Sequence, residues 1–263
     1  MPYIFFQWLY SLFYWLIGTE DTFTFQLHVP NWSLWFLISS FFWQLSLYFF
    51  HKVPAKIGIP VSILLSLLVG YLPFIGRELT LQRTIVFLPY FVIGYYLKKE
   101  TVERFIRSAK KRWWILGFAL NYTVIYFVGE VNKYIFFGSK PYEDFLNFPE
   151  WGALVRIVTM ILGGIGIMAF FACVPTKEQR YTACGKYTLV AYLLHGFIVK
   201  GVRGLDPEIV PLNLFTLLLL LAGSALLTYL LCSEPVARTY AKVERRLFGV
   251  DRQPPKDTRY QRT

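Results

Sequence analysis

Charge is scarce in this chain, and acidic charge scarcest. Asp and Glu number 16 against 27 Lys and Arg, and all four together make up 16% of the 263 residues, where a soluble globular domain carries about 25%. Cysteine is nearly absent. Cys173, Cys184 and Cys232 form an odd set with no CxxC spacing, which argues for buried thiols and against a disulfide framework or a metal site. There are three histidines, His28, His51 and His195. No Walker motif, dinucleotide glycine fingerprint, HExxH or GxSxG occurs, so ATP hydrolysis and zinc hydrolysis by those routes have no support. A cleavable signal pattern is also missing, because Met1 runs directly into Pro-Tyr-Ile-Phe-Phe with no basic region before it.

What fills the chain instead is apolar and aromatic. Hydrophobic residues make up 56% and aromatic residues 19%, with a mean hydropathy of +0.45. A water-exposed fold could not cover that much Leu, Phe, Trp and Tyr. Eight runs approach the roughly 20 residues needed to cross a bilayer. They are 1–17, 32–50, 57–74, 84–97, 113–128, 151–174, 185–201 and 212–232. Asn31 is placed to cap the second run, and Gly163-Gly164-Ile165-Gly166 permits close helix packing in the sixth. The segment 129–150 is a longer polar loop with a short interfacial helix expected at about Val131 to Phe137. From Ser233 onward the chain is charged, contains Pro254-Pro255, and is expected to fray.

Loop charge gives an independent check on that division. The net charge of +11 could suit a nucleic-acid partner, but the basic residues cluster in loops between apolar runs, so none is expected. Alternate loops hold 20 of the 27 Lys and Arg, including the block from Lys98 to Arg112 and the tail. Anionic headgroups of membrane lipids are the ordinary partners of such a block, and a phosphate-rich cofactor on the cytoplasmic side is a second reading. The positive-inside rule then puts both termini in the cytoplasm. The fold class is therefore all-α, a polytopic transmembrane helix bundle of about eight spans. Residues 1–232 form the transmembrane domain and 233–263 a basic cytoplasmic tail.

The seventh run carries the main candidate site. On a helix Thr188, Tyr192, His195, Val199 and Arg203 fall on one stripe, which should face the bundle interior or a water-filled cavity. Two readings of His195 stand side by side: a substrate-binding or proton-handling group, or an interhelical hydrogen-bonding residue. Arg77, Arg83, Arg156 and Arg203 lie in outer loops or at outer span ends. They could line a site for an anionic or polyhydroxylated ligand, or snorkel to the interface.

Three stretches, read in order, carry a resemblance: Asn31-Trp32-Ser33-Leu34-Trp35-Phe36-Leu37, then Phe87 to Lys99 (FLPYFVIGYYLKK), then Gly185-Lys186-Tyr187-Thr188-Leu189 with Tyr192-Leu193-Leu194-His195-Gly196. Together they resemble the membrane acyltransferase 3 family, in its fucose 4-O-acetylase-like branch. The resemblance implies about ten helices in the plasma membrane. It implies transfer of an acetyl group from acetyl-CoA to a hydroxyl of a sugar or cell-envelope polysaccharide, with no metal. The family's catalytic histidine, on its first helix, and its His-Met-Pro-like element have no counterpart here. The expectation is that the first two helices are missing, that the base lies before Met1, and that this form transfers no acetyl group unless a partner chain supplies those helices. His195 matches the family's C-terminal histidine. The expected acceptor-side residues are His195, Tyr192, Arg203, Trp35 and Arg83. The competing readings are a transporter of envelope glycans, which the near-absence of Asp and Glu from the spans counts against, and a non-catalytic membrane component.

Overall fold

The computed structural model describes residues 2–76, 78–175, 177, 179–204 and 213–249. Arg77 and the tail beyond Gly249 lie outside them. Helices account for the described elements, and no strand occurs among the described residues. Each of the eight apolar runs contains a helix: α1 (Pro2–Leu16), α2 (Trp35–Phe50), α3 (Ala55–Leu68), α4 (Leu81–Tyr96), then after α5 (Lys99–Ser108) the long α6 (Lys111–Val131), and after the single turn α7 (Tyr134–Phe137) α8 (Gly152–Cys173), α9 (Thr188–Gly204) and α10 (Leu214–Leu231). An eleventh helix, α11 (Glu234–Phe248), follows.

Large apolar side chains point outward on many of these helices. Phe215, Leu219 and Tyr229 of α10 and Trp113, Leu120 and Phe127 of α6 are all more than half exposed. Such a surface is at ease in lipid and a liability in water. Among the described residues, the helical stretch Pro149–Cys173 is long and apolar enough to cross a membrane alone. α10 and α11, bent by 53° at their junction, meet the same criterion only as a pair. Trp35–Phe50 and Ala55–Tyr71 are apolar but shorter.

The chain divides into two compact units, Met1–Leu34 with Lys177–Thr263, and Trp35–Thr176. In the first, Gln7 of α1 organises the loop that follows. Its Nε2 donates to the Gln26 and Val29 carbonyls at 2.7 and 2.9 Å, and its Oε1 accepts from the Asn31 amide at 2.8 Å. Asn31 does not use its side chain as a helix cap. The Nδ2 group donates to Ser11 Oγ at 3.0 Å instead, because α1 offers it a buried acceptor. The tail also departs from the sequence expectation. Residues 234–248 are helical, capped at the end by Gly249 in the left-handed conformation at φ 64°. Val236, Tyr240, Val243 and Leu247 recur at helical spacing, and Tyr240 and Phe248 pack their rings on Phe6 and Phe5 of α1, at 6.2 and 5.6 Å.

In the second unit Trp43, Phe50, Leu88 and Val92 form a core between α2 and α4. Tyr96 donates to the Phe50 and Val53 carbonyls, both at 2.7 Å, and so closes the turn into α3. Gly58 of α3 is required there, since a Cβ would lie 2.6 Å from the Tyr96 hydroxyl. The glycine cluster of α8 serves two neighbours. Gly163 leaves room for Tyr90 of α4, and Gly166 for Asn121 of α6, whose Nδ2 donates to the Leu162 carbonyl at 2.8 Å. The interfacial turn expected from Val131 is α7, three residues later, because α6 continues through Val131. The basic block 98–112 is also more ordered than a connection: α5 sets Val102, Phe105 and Ile106 on one side, and Phe105 meets Trp114 edge-on at 5.4 Å. Of the cysteines only Cys232 is buried; Cys173 and Cys184 are half-buried and all three are free thiols.

Candidate functional site

In the first unit the candidate residues sit on α9, and α1 positions that helix. Val190, Leu193 and Gly196 form the buried face of α9. Gly196 has no side chain because Tyr10 of α1 occupies the space a Cβ would need. The Tyr10 hydroxyl donates to the Leu193 carbonyl at 3.0 Å, and its ring stacks on Phe197 at 4.0 Å and 11°. The polar stripe therefore does not form the buried face, as a stripe turned to the interior would. Tyr192 and His195 are half-buried, and Thr188 and Arg203 exposed. The glycine-lined contact with α1 takes the interior instead.

Tyr192 donates its hydroxyl to the Ser33 carbonyl. His195 lies with its ring centroid 6.0 Å from that of Tyr192, and its Nδ1 stands 2.7 Å from the Tyr192 carbonyl and 3.2 Å from that of Ala191. Carbonyl oxygens only accept, so Nδ1 carries the hydrogen and Nε2 the lone pair in the neutral ring. Arg203 is in the last turn of α9, about 12 Å along the axis from His195 at 1.5 Å per residue. Two further hydroxyls, Tyr14 Oη and Ser33 Oγ, are buried with no hydrogen-bond partner among the described residues. Lys200 Nζ lies 5.0 Å from the Tyr14 ring centroid.

In the second unit Trp35 and Arg83 come together. The Arg83 guanidinium carbon is 5.1 Å from the Trp35 ring and 5.9 Å from that of Phe137, within cation–π range. α4 holds Arg83 in place through a buried hydroxyl ladder. Ser39 Oγ and Thr84 Oγ1 are 2.8 Å apart, and Trp43 Nε1 donates to the Thr84 carbonyl at 2.8 Å. Just before the helix, Leu79 and Thr80 both adopt positive φ, 51° and 53°. Left-handed backbone at β-branched Thr80 is uncommon and gathers at functional sites.

Residue selection from the sequence omitted Tyr10, Tyr14 and Ser33 in one unit and Phe137 in the other. The signal for the first two was present, since Tyr3, Gln7, Tyr10 and Tyr14 recur at helical spacing just as the α9 residues do. Arg156, noted only as an outer-end arginine, is among the most buried polar residues, 3% exposed. His28 and His51 are exposed, and His51 Nδ1 is 3.4 Å from the Tyr95 hydroxyl. Among the described residues no group of three His, Cys, Asp or Glu side chains could hold a metal ion. Burial pushes the Tyr142 phenol above its ordinary range, and the nearby Arg156 charge opposes the shift.

A family model described as an acyltransferase domain matches residues 1–233. Searches of the curated proteins and of the solved structures each found no match.

Proposed function

The chain belongs to the membrane acyltransferase 3 family, and from that premise we propose that it is a multi-pass plasma-membrane protein serving the transfer of acetyl from acetyl-CoA to a hydroxyl of a sugar or cell-envelope polysaccharide. Membership makes it a membrane protein of acyltransferase type; the donor, the acceptor and the eight crossings are the proposal. The observation that carries the acceptor assignment is the set of hydrogen-bonding groups around α9. The Tyr14 and Ser33 hydroxyls are buried without hydrogen-bond partners among the described residues, Tyr14 on α1 and Ser33 at the residue whose carbonyl accepts from Tyr192. Buried polar groups left unsatisfied cost about 1–3 kcal/mol each, and a polyhydroxylated acceptor is a partner that would satisfy them. Arg203 adds charge at the end of the same helix. Within the second unit, Trp35 and Arg83 form an aromatic–guanidinium surface of the kind on which a sugar ring can rest.

Transfer needs a base on the acceptor hydroxyl and donors for the oxyanion that develops at the thioester carbonyl. His195, whose Nδ1 faces the Ala191 and Tyr192 carbonyls of its own helix, is assigned to holding the acceptor. The exposed basic helix α5 suits the phosphates of the donor or of lipid.

The test is acetyl transfer from labelled acetyl-CoA to a membrane glycan fraction. Membranes would contain this chain, its His195→Gln variant, or neither. Label is expected from the chain, and from His195→Gln once the acceptor is raised to saturation. Label that stays absent from His195→Gln at every acceptor concentration would make His195 the base and overturn the assignment. Absence of label from the chain would overturn acetyl transfer.

A further inference from the structure

Within the second unit, a cation is buried against the Tyr142 ring with no carboxylate paired to it among the described residues. Arg156 of α8 is 3% exposed, and its Nε and Nη2 have no hydrogen-bond partner among the described residues. Those two nitrogens form the side-on edge of the guanidinium, the two-pronged donor that matches a carboxylate or phosphate. No described ion pair involves Arg156. Glu143 and Asp144, nearby in sequence to its Tyr142 neighbour, are exposed.

The surroundings are fixed. The Tyr142 ring centroid lies 5.5 Å from the guanidinium carbon. That ring is held by its hydroxyl, which donates to the Leu67 carbonyl at 3.1 Å, and by Gly70 and Gly152, where any Cβ would strike it. Gly138, left-handed at φ 58°, passes so close that a Cβ would be 3.5 Å from Arg156 Nη1 and 2.7 Å from Val86 Cγ1. One turn before Val86 on α4 is Gln82, 1% exposed. Its Nε2 donates to the Lys140 carbonyl at 3.3 Å, while its Oε1 is buried without a partner. The segment 138–140 thus joins an unmatched two-pronged donor to an unmatched acceptor. Ser139, Lys140 and Pro141, with Glu143 and Asp144, also line a cavity of about 310 Å³, which brings open space to that segment on the side away from Arg156 and Gln82; its two carboxylates leave Arg156 as the cation that an anion must reach.

A buried guanidinium with two idle nitrogens is among the costliest arrangements a fold can keep. We propose that Arg156 and Gln82, with the 138–140 segment between them, bind an oxyanion that carries a neighbouring hydroxyl: Nε and Nη2 take two anion oxygens, and Gln82 Oε1 accepts from the hydroxyl. The carboxylate of an acidic sugar and the phosphate of a glycerophosphate headgroup both have this chemistry. The site stands apart from the α9 assignment and does not depend on acetyl transfer.

The experiment is thermal unfolding of the full chain in nonionic detergent, titrated with glucuronate, glycerol 3-phosphate, acetate, glucose or sodium chloride. Glucuronate or glycerol 3-phosphate should raise the midpoint saturably in the wild-type protein, while glucose and chloride should not. Response to glucuronate alone identifies an acidic sugar, response to glycerol 3-phosphate alone a phosphate headgroup, and response to both an unselective oxyanion site. Arg156→Gln should weaken the apparent affinity by about tenfold or more, the loss of a charge-assisted pair. Gln82→Leu should weaken the hydroxylated anions and leave acetate unchanged. The proposal fails if neither anion shifts the wild-type midpoint, or if Arg156→Gln responds as the wild type does. Should Arg156→Gln not fold, a Gln82→Leu response identical to wild type for glucuronate and glycerol 3-phosphate overturns it.

Discussion

Gly196→Ala is the substitution in which local preference and packing oppose each other most directly. In the interior of a helix, alanine in place of glycine gains about 1 kcal/mol, and on that ground alone the variant would be more stable. The new methyl group, however, falls on the Tyr10 hydroxyl oxygen. Tyr10 cannot retreat easily: it is 1% exposed, stacked on Phe197 at 4.0 Å and 5.9 Å from Tyr14. Overpacking of such a site costs about 1–3 kcal/mol. Displacing the phenol from the Leu193 carbonyl forfeits a hydrogen bond worth about 0.6 kcal/mol inside a membrane. The helix gain offsets only part of this, leaving a net loss of about 0.6–2.6 kcal/mol by the same magnitudes. Reversible denaturation in mixed micelles reads the difference. Tyr10→Phe removes both the striking atom and the hydrogen bond, so in that background Gly196→Ala should cost about 1 kcal/mol less, a coupling that a double-mutant cycle isolates. A Gly196→Ala protein as stable as wild type, or equally destabilised in both backgrounds, would refute the packing argument.

Other consequences can be checked in the same preparations. Gly152→Ala and Gly70→Ala each drive a Cβ into the buried Tyr142 ring and should destabilise by about 1–3 kcal/mol, read by thermal unfolding; shrinking the ring with Tyr142→Leu should make either change less harmful. Thr84→Val keeps the shape but leaves Ser39 Oγ, 2.8 Å away, only the longer contact with Thr80 Oγ1 at 3.4 Å, and should cost about 1 kcal/mol, whereas Ser39→Ala with Thr84→Val together should cost less than the two singles combined. Tyr240→Ala should loosen α11 from α1 and raise protease cleavage within 234–248 several-fold, where a frayed tail would be cut equally in both proteins. In the transfer assay, His195→Gln should raise the acceptor KM by about tenfold with kcat little changed, the mark of lost ground-state binding.

The sequence made the apolar helices legible because length and hydropathy survive any arrangement of neighbours. Helices α5 and α11 escaped because they are charged on average; only the spacing of Val102, Phe105 and Ile106, or of Val236, Tyr240, Val243 and Leu247, gives them away. Candidate side chains were found one helix at a time, so the α9 stripe was visible in advance. Its partners were not. That Gly196 is the socket for Tyr10, or that Arg83 lies over Trp35 across 48 positions of chain, depends on which helices pack together, and no periodicity encodes that. Asn31 shows the same limit, since a residue suited to capping has its amide turned to α1 by the Nδ2 donation to Ser11 Oγ.

The first unit is assembled from the two ends of the chain, with the second lying between them in sequence. On the ribosome, the segment before Trp35 emerges long before Leu193 and Phe197, which pack on its Tyr10. At about 5–20 residues per second, synthesis of 35–176 takes roughly 7–30 s, and throughout that time α1 lacks α9. The second unit has all its helices by then and can fold first. Slow codons or a held translocon after residue 176 would therefore lengthen the period in which α1 is unpaired, and quality-control proteases should recognise this chain there.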